Sequence, residues 1–339
     1  MRSWELQSFG LSGLAMVDRP APVPGHDQVL VAIDAVALNY RDLAIISGSY
    51  APDPVLPIIL ASDAVGRIVA VGDGVRGWQV GDRVIGCYME DWQRGPSRAS
   101  DTAFTLGSPL DGVLCEQRVF PQSAIVLVPS CLSDNECASL PIAAVTAWCA
   151  LFEHSVAQPG ETVLVQGSGG VATFAIQLAA AAGLRVIALS RSAKKLERSS
   201  ALGAAQTLNR TLEPDWGRQV LALTEGKGAD VILDIGGQGT LAQSVIAAAQ
   251  NGRIAAIGIL GGAEVQMALG PLIVKNLTLR GITVGSKQSF EAMLRFVART
   301  GIRPVIDSVF AFDEVPGAFA RLSSGKHQGK ICINIGHSS

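Results

Sequence analysis

The sequence predicts an α/β protein: a β-rich domain split in sequence around an inserted, doubly wound parallel sheet. Three observations carry this. Strand-and-turn texture runs from Met1 to about Val128, strands alternate with helices from about Ser133 to Arg280, and the final segment returns to a helix and a strand. At 339 residues the chain is long for one ordinary domain and comfortable for two, and 48% hydrophobic residues can fill sizeable cores. The expected boundaries are residues 1–130 plus 283–339 for the split domain and 131–282 for the inserted one.

In chain order, "QVLVAIDAVALN", "GRIVAVG", "GDRVIGCY" and "SAIVLVP" are β-rich runs separated by Gly, Pro and Asp, the texture of a barrel or sandwich. The inserted part offers "ETVLVQG", "RVIALS", "AAQTLN", "DVILDIG", "GRIAAIG" and "LTLRGI" as strands. Between them "VATFAIQLAAAAG", "SAKKLERSSALG" and "GTLAQSVIAAAQ" read as helices. Alternation in units of this length implies parallel strands with helical crossovers. The closing "FDEVPGAFARLSSGKHQGKICINI" reads as a helix followed by a strand.

Composition excludes several classes of function. A formal net charge of -2 with 17% charged residues offers no basic surface for nucleic acid or for an anionic membrane. The start "MRSWELQSFGLSG" mixes charged and polar residues where a signal peptide needs an apolar core, so a cytoplasmic protein is expected. Thr162 to Leu184 carries no charge and is long enough to span a bilayer, but its Gly cluster and β-branched start suit strand, turn and buried helix better. Cys87, Cys115, Cys131, Cys137, Cys149 and Cys332 form no C-x-x-C pair. With the scattered His26, His154, His327 and His337 they make no local metal or triad spacing, which leaves buried thiols in a reducing compartment.

The most informative stretch is "VLVQGSGGVATFAIQ". Gly167, Gly169 and Ala172 match G-x-G-x-x-G/A directly after a strand and before a helix. Gly167 permits the tight turn and Gly169 lets a pyrophosphate approach the backbone. Gly170 and Val171 open the helix whose free N–H groups face negative charge. An ordinary tight turn, or a turn holding S-adenosylmethionine, are the alternatives. Both an NAD enzyme and a methyltransferase would want a carboxylate at the end of the next strand. That strand instead ends at Ser190, followed by Arg191, Ser192, Lys194 and Lys195, with Arg210 after the strand beyond. A hydroxyl and cations suit a ribose 2'-phosphate, so NADPH is expected over NADH. The bland reading of Arg191, Lys194 and Lys195 is a solvated helix start.

The sequence resembles the medium-chain dehydrogenase/reductase superfamily, in its zinc-free quinone oxidoreductase-like branch. The resemblance covers nearly the whole chain. It rests on "LNYRDLAIISGSY", "ASDAVGRIVAVGDGVRGWQVGDRVIG", "LPIAAVTAWCAL", the glycine turn, "LGA" at Leu202 to Ala204, and "GKICINI". It implies a GroES-like catalytic domain interrupted by a Rossmann domain, and a homodimer, for which the strand around Leu277 to Gly281 is the candidate edge. Zinc alcohol dehydrogenases of the superfamily place a Cys where this chain has Asn39, Gly-His-Glu where it has Ala61-Ser62-Asp63, and a Cys where it has Ile142. One carboxylate does not hold zinc, so no metal is expected.

The resemblance also implies the site. Asn39, Tyr40 and Asp42 belong at the former metal pocket with Ser62 and Asp63, and Thr146 stands near the nicotinamide. Gly258, Ile259 and Leu260 border it, Val284 and Ser286 pass over it, and Lys330 meets the pyrophosphate. Tyr50 matches the Tyr of Gly-x-Tyr-Pro in quinone and enoyl reductases, with Ala51 intervening before Pro52. It is either a proton donor to a developing enolate or a packed loop aromatic. Asp42 and Asp63 are either site groups or structural acceptors paired with loop amides and Arg41. The activity so implied is NADPH-dependent hydride transfer to an activated alkene, enone or quinone, a small-molecule substrate. A zinc-free alcohol or aldehyde dehydrogenase and a non-catalytic NADPH-binding protein are the alternatives.

Overall fold

The computed structural model of the chain describes residues 1–50 and 55–336; Ala51, Pro52 and His337 lie outside these. The chain forms two compact units, Met1–Val145 with Gly285–Ser339, and Thr146–Val284. Residues 131–145, grouped with the insert on sequence, stand in the first unit, where the short helix Asp134–Ala138 packs on the strands Gln28–Ala37 and Asp63–Val71.

In the first unit, seven strands among the described residues form the main sheet. Its path runs Ile306–Ala311, Lys330–Asn334, Gln28–Ala37, Asp63–Val71, Arg83–Gly86, Ile125–Leu127, with Gln117–Pro121 also pairing Gln28–Ala37. The strand Gln28–Ala37 is its spine. It reads as a near-continuous apolar run because neighbours cover it, and Val29, Val31, Ile33 and Val36 are buried. Register does the positioning. Ala37 lies opposite Asp63 on one side and Cys332 on the other, so the chain leaving this strand at Asn39 emerges between Asp63 and Lys330.

The second unit is built on six parallel strands. Their order is Gln206–Asn209, Arg185–Ser190, Thr162–Gln166, Ala229–Asp234, Ala248–Ala256, Thr278–Gly281, the doubly wound pattern with its reversal between the third and fourth positions. Thr162–Gln166 is buried throughout. The helix Gly170–Ala181 follows, burying Ala172, Phe174, Ala175 and Ile176; emptying the Phe174 site would cost about 3–5 kcal/mol. The uncharged stretch from Thr162 is therefore strand, turn and a 12-residue helix. No helix among the described residues is long and apolar enough to cross a membrane.

One helix is shorter than the sequence pattern predicts. "GTLAQSVIAAAQ" is helical only over Leu241–Ala247, and Ala248 already opens the next strand. Alanine favours helix locally, but Ala248 is captured by ladder pairing with Ala229, and that tertiary contact outweighs a propensity of a few tenths of a kcal/mol. The helices Trp216–Leu223 and Leu269–Val274 also belong to the second unit, and Lys287–Thr300 to the first.

Candidate active site

The reversal of strand order in the second unit puts two turns side by side at the carboxyl ends of the sheet, the place where open α/β sheets bind ligands. Gly167 turns with φ 87°, a left-handed conformation that side chains resist, and its N–H donates to Leu189 O at 2.8 Å. Gly169 is the N-cap of Gly170–Ala181, which leaves the first N–H groups at Gly170 and Val171 without intrahelical acceptors. Thr173 Oγ1 donates to the carbonyls of Gly169 and Gly170 and steadies the turn.

At the end of the next strand Ser190 is buried, and its carbonyl accepts from Arg210 N at 3.0 Å. This ladder continuation brings Arg210 beside Arg191. Burial first, and then the like charge of Arg191, lower the proton affinity of the Arg210 guanidinium, against a smaller opposite pull from Asp234. Two neighbouring guanidinium groups repel one another until an anion lies between them. Lys195 sits half-buried in the helix Ala193–Ala201, and Lys194 is exposed there.

Beyond the reversal, Asp234 ends its strand fully buried. Its Oδ1 accepts from Gly236 N, Gly237 N and Thr240 Oγ1, and its Oδ2 from Gln166 Nε2 and Ser244 Oγ. This carboxylate sews the ends of two central strands to the loop that follows. A Cβ at Gly258 would stand 2.6 Å from Ile235 O, so only glycine fits there. Ile259 and Leu260 are exposed beyond it. Thr146 is buried and donates to Thr283 O, next to the buried Val284. Ser286, in the first unit, caps the helix Lys287–Thr300 by accepting from Ser289 N.

In the first unit, Asn39, Asp63 and Lys330 converge as the register requires. Lys330 Nζ donates to Asn39 Oδ1 at 2.6 Å and lies 3.4 Å from Asp63 Oδ2; its side chain is 3% exposed and that of Asp63 0%. Ser62 Oγ and Ile142 N also donate to Asp63. An ammonium has only protons to offer, so it fixes the amide of Asn39 with Oδ1 inward, and Nδ2 is left buried without an acceptor. Asp42 caps the helix Tyr40–Ile46 through Asn39 N at 2.8 Å, and burial pushes its carboxyl up to about 6 against the pull of Arg41.

The positions that ligate zinc in metal-dependent relatives thus hold an amide, one carboxylate and a backbone N–H, with a lysine ammonium already among them. Among the described residues no three His, Cys, Asp or Glu side chains are grouped to hold a metal ion. The donor set does not fit zinc. Ala61 keeps a φ of 63°, the left-handed backbone that the Gly of Gly-His-Glu adopts freely. The six cysteines are free, and burial pushes Cys87, Cys115, Cys137 and Cys332 up to about 12, so these thiols are inert.

Tyr50 is half-buried and does not stand alone. The Arg41 guanidinium lies 4.8 Å from the centroid of its ring and 4.9 Å from that of Tyr88. The two phenol oxygens are 3.3 Å apart, and Arg41 Nε reaches the Tyr50 oxygen at 3.5 Å. Arg41 is anchored in turn on the carbonyls of Leu106 and Ser108. Tyr40, by contrast, opens its helix with a side chain 56% exposed.

The structure therefore joins the expected residues into three groups: Ser190, Arg191 and Arg210; Asn39, Asp42, Asp63 and Lys330; and Tyr50 with Arg41. Lys330, expected at a pyrophosphate, is turned inward onto Asn39 and Asp63. Tyr88 and Asp234 escape a reading of the sequence. Tyr88 is 38 residues from Tyr50, in the bend that follows the strand Arg83–Gly86. An acid closing the apolar run "DVILD" was the available signal for Asp234.

Comparison with known proteins adds to this geometry. The alcohol dehydrogenase GroES-like domain family matches residues 25–130, and the zinc-binding dehydrogenase family matches residues 170–299. A zinc-type alcohol dehydrogenase-like protein of Schizosaccharomyces pombe is 39% identical over 91% of this chain and 91% of its own length. An acryloyl-coenzyme A reductase of Metallosphaera sedula is 30% identical over 92% of this chain and 93% of its own. The crystal structure of a candidate alcohol dehydrogenase from Sinorhizobium meliloti 1021 superposes with a TM-score of 0.93 at 40% identity, covering 98% of each chain.

Proposed function

Since this chain belongs to the medium-chain dehydrogenase/reductase superfamily, and is an oxidoreductase of that type, we propose that it reduces an activated alkene, enone or quinone with NADPH and without zinc. The observation that carries the reading is the inward ammonium of Lys330, held by Asn39 and Asp63 where relatives hold a metal. Zinc serves alcohol oxidation by stabilising an alkoxide. A conjugated acceptor spreads its developing charge into an enolate or hydroquinone, which a few hydrogen-bond donors can steady. The resemblance to an acryloyl-coenzyme A reductase supports an alkene acceptor.

Chain residues divide the work. The N–H groups at Gly169 to Val171 face the pyrophosphate, and Arg191 and Arg210 with Ser190 hold the 2'-phosphate. In the second unit, Thr146, Gly258 and Val284 border the nicotinamide end. When bound, the reduced nicotinamide supplies hydride. Tyr50 donates the proton that the reduced substrate then needs. A second copy adds to the strand Thr278–Gly281, which is exposed along its length, near the exposed Leu269, Ile273 and Val274.

The test is turnover by the purified protein of NADPH, and separately NADH, against enones, acryloyl thioesters and quinones. NADPH-preferring reduction that survives chelation is expected; absence of turnover across the panel opposes the reading. NADP-linked oxidation of alcohols in the same assay would favour the second reading, which the names of the S. pombe and S. meliloti relatives support.

A further inference from the structure

We propose that Tyr88 and Arg41 are positioning residues for Tyr50, forming with it a three-member acid in which the Tyr88 hydroxyl donates to the Tyr50 oxygen and the Tyr50 proton is left to give away. The proposal rests on Tyr50 acting as the proton donor, and it adds two residues to that role. Its basis is geometric. The guanidinium of Arg41 faces both rings at nearly equal distance, 4.8 and 4.9 Å, and its Nε reaches the Tyr50 oxygen alone. The phenol oxygens are within hydrogen-bond range of each other at 3.3 Å, so one phenol must donate to the other.

Which one donates follows from their surroundings. Tyr88 is the more buried phenol, at 6% exposure, and burial raises it well above the usual tyrosine range, with Arg41 opposing and Tyr50 adding. For Tyr50 burial also pushes upward, but the charge of Arg41 and hydrogen bonds from Tyr88 and Arg41 outweigh it, with Asp42 as a small counterforce, and the net direction is downward. Once Tyr50 gives its proton away its phenolate can only accept, so the donor is Tyr88, the weaker acid, which keeps its own. The arrangement that leads to transfer has the Tyr88 hydroxyl donating and the Tyr50 O–H directed elsewhere.

The step balances. A bound reduced nicotinamide would give up hydride from its C4–H bond and be left oxidised, the hydride forming a C–H bond at the β-carbon as the alkene π electrons shift to an enolate. The Tyr50 O–H bond then breaks, its proton goes to the enolate, and the phenolate left on Tyr50 is stabilised by Arg41 and Tyr88 until water returns a proton.

The chain has only three tyrosines, Tyr40, Tyr50 and Tyr88, so phenolate absorbance during an alkaline titration can be assigned by single substitutions. In the intact protein the first phenol should ionise earlier than in Tyr50→Phe, which removes that step. Tyr88→Phe keeps the ring against Arg41 and deletes only the hydroxyl. It should move the Tyr50 step, and the alkaline limb of kcat/KM for an enone, to higher pH. Arg41→Lys, which keeps a charge beneath the loop carbonyls, should do the same. Loss of kcat should be about a hundredfold in Tyr50→Phe and about tenfold in Tyr88→Phe. An early step that persists in Tyr50→Phe, or one that Tyr88→Phe leaves in place, overturns the proposal. The titration needs no substrate, so a protein that fails to reduce enones but shows the shifts refutes the functional reading and not the cluster.

Discussion

The two cationic centres of this molecule are built on opposite plans. Around Lys330 the charge is sealed: the ammonium is buried, its partners Asn39 and Asp63 are buried with it, and Asp63 is satisfied further by Ser62 and Ile142. Around Arg191 and Arg210 the charge is open, two like groups side by side at the ends of adjacent strands. A sealed pair has finished its electrostatics during folding, whereas an open pair is costly until something negative arrives. Under the proposed function the sealed centre is scaffold and the open one receptor, a distinction that charge counts in the sequence do not make.

That contrast can be broken most forcefully at Lys330. Lys330→Met leaves the buried carboxylate of Asp63 alone and should cost about 3–5 kcal/mol in denaturant unfolding, with Asp63→Asn in the same chain recovering most of the loss. A neutral Lys330→Met would show that the centre is not sealed. Next in size, Arg191→Ala with Arg210→Ala should weaken NADPH binding by about tenfold to a hundredfold in a fluorescence titration. NADH affinity should be unchanged, and unfolding should be no easier, since a repulsion is relieved and no native ion pair is lost.

Asp42 offers a test through pH. Its carboxyl is held up at about 6, above the usual carboxylate value, so the native state keeps a proton that the unfolded chain releases earlier. Its contribution is fully present below about pH 4 and is lost as pH rises through about 6. Asp42→Asn should remove that loss, on the order of 3 kcal/mol, and flatten the unfolding profile across the window. The smallest effect belongs to Ala61→Gly, which relieves a left-handed alanine but adds freedom to the unfolded chain, a net gain of about 0.5 kcal/mol.

Much of the architecture is readable from sequence because it is written in local periods. The first strand of the parallel sheet, the glycine turn and the helix behind it announce themselves in one unbroken stretch, Thr162 to Ala181. Local reading failed at Ala248 to Gln250, where three helix-favouring residues run as strand from the pairing of Ala248 with Ala229. Asn39 and Asp63 stand out by motif. Their union with Lys330 does not, because it depends on two strand registers meeting at Ala37 from opposite ends of the chain. Tyr88 is hidden for the same reason: its meaning comes from contact with Tyr50, 38 residues earlier, and with Arg41 before that, and no spacing rule links them.

The inward lysine also bears on how such a protein matures. A cation supplied by the polypeptide arrives with translation and needs no loading step. It cannot be stripped by a chelator or displaced by a competing ion, and it has no thiolate ligands to lose to oxidation. Fold and positive charge are then completed together, because the pairing of Lys330–Asn334 with Gln28–Ala37 is what carries Lys330 into place.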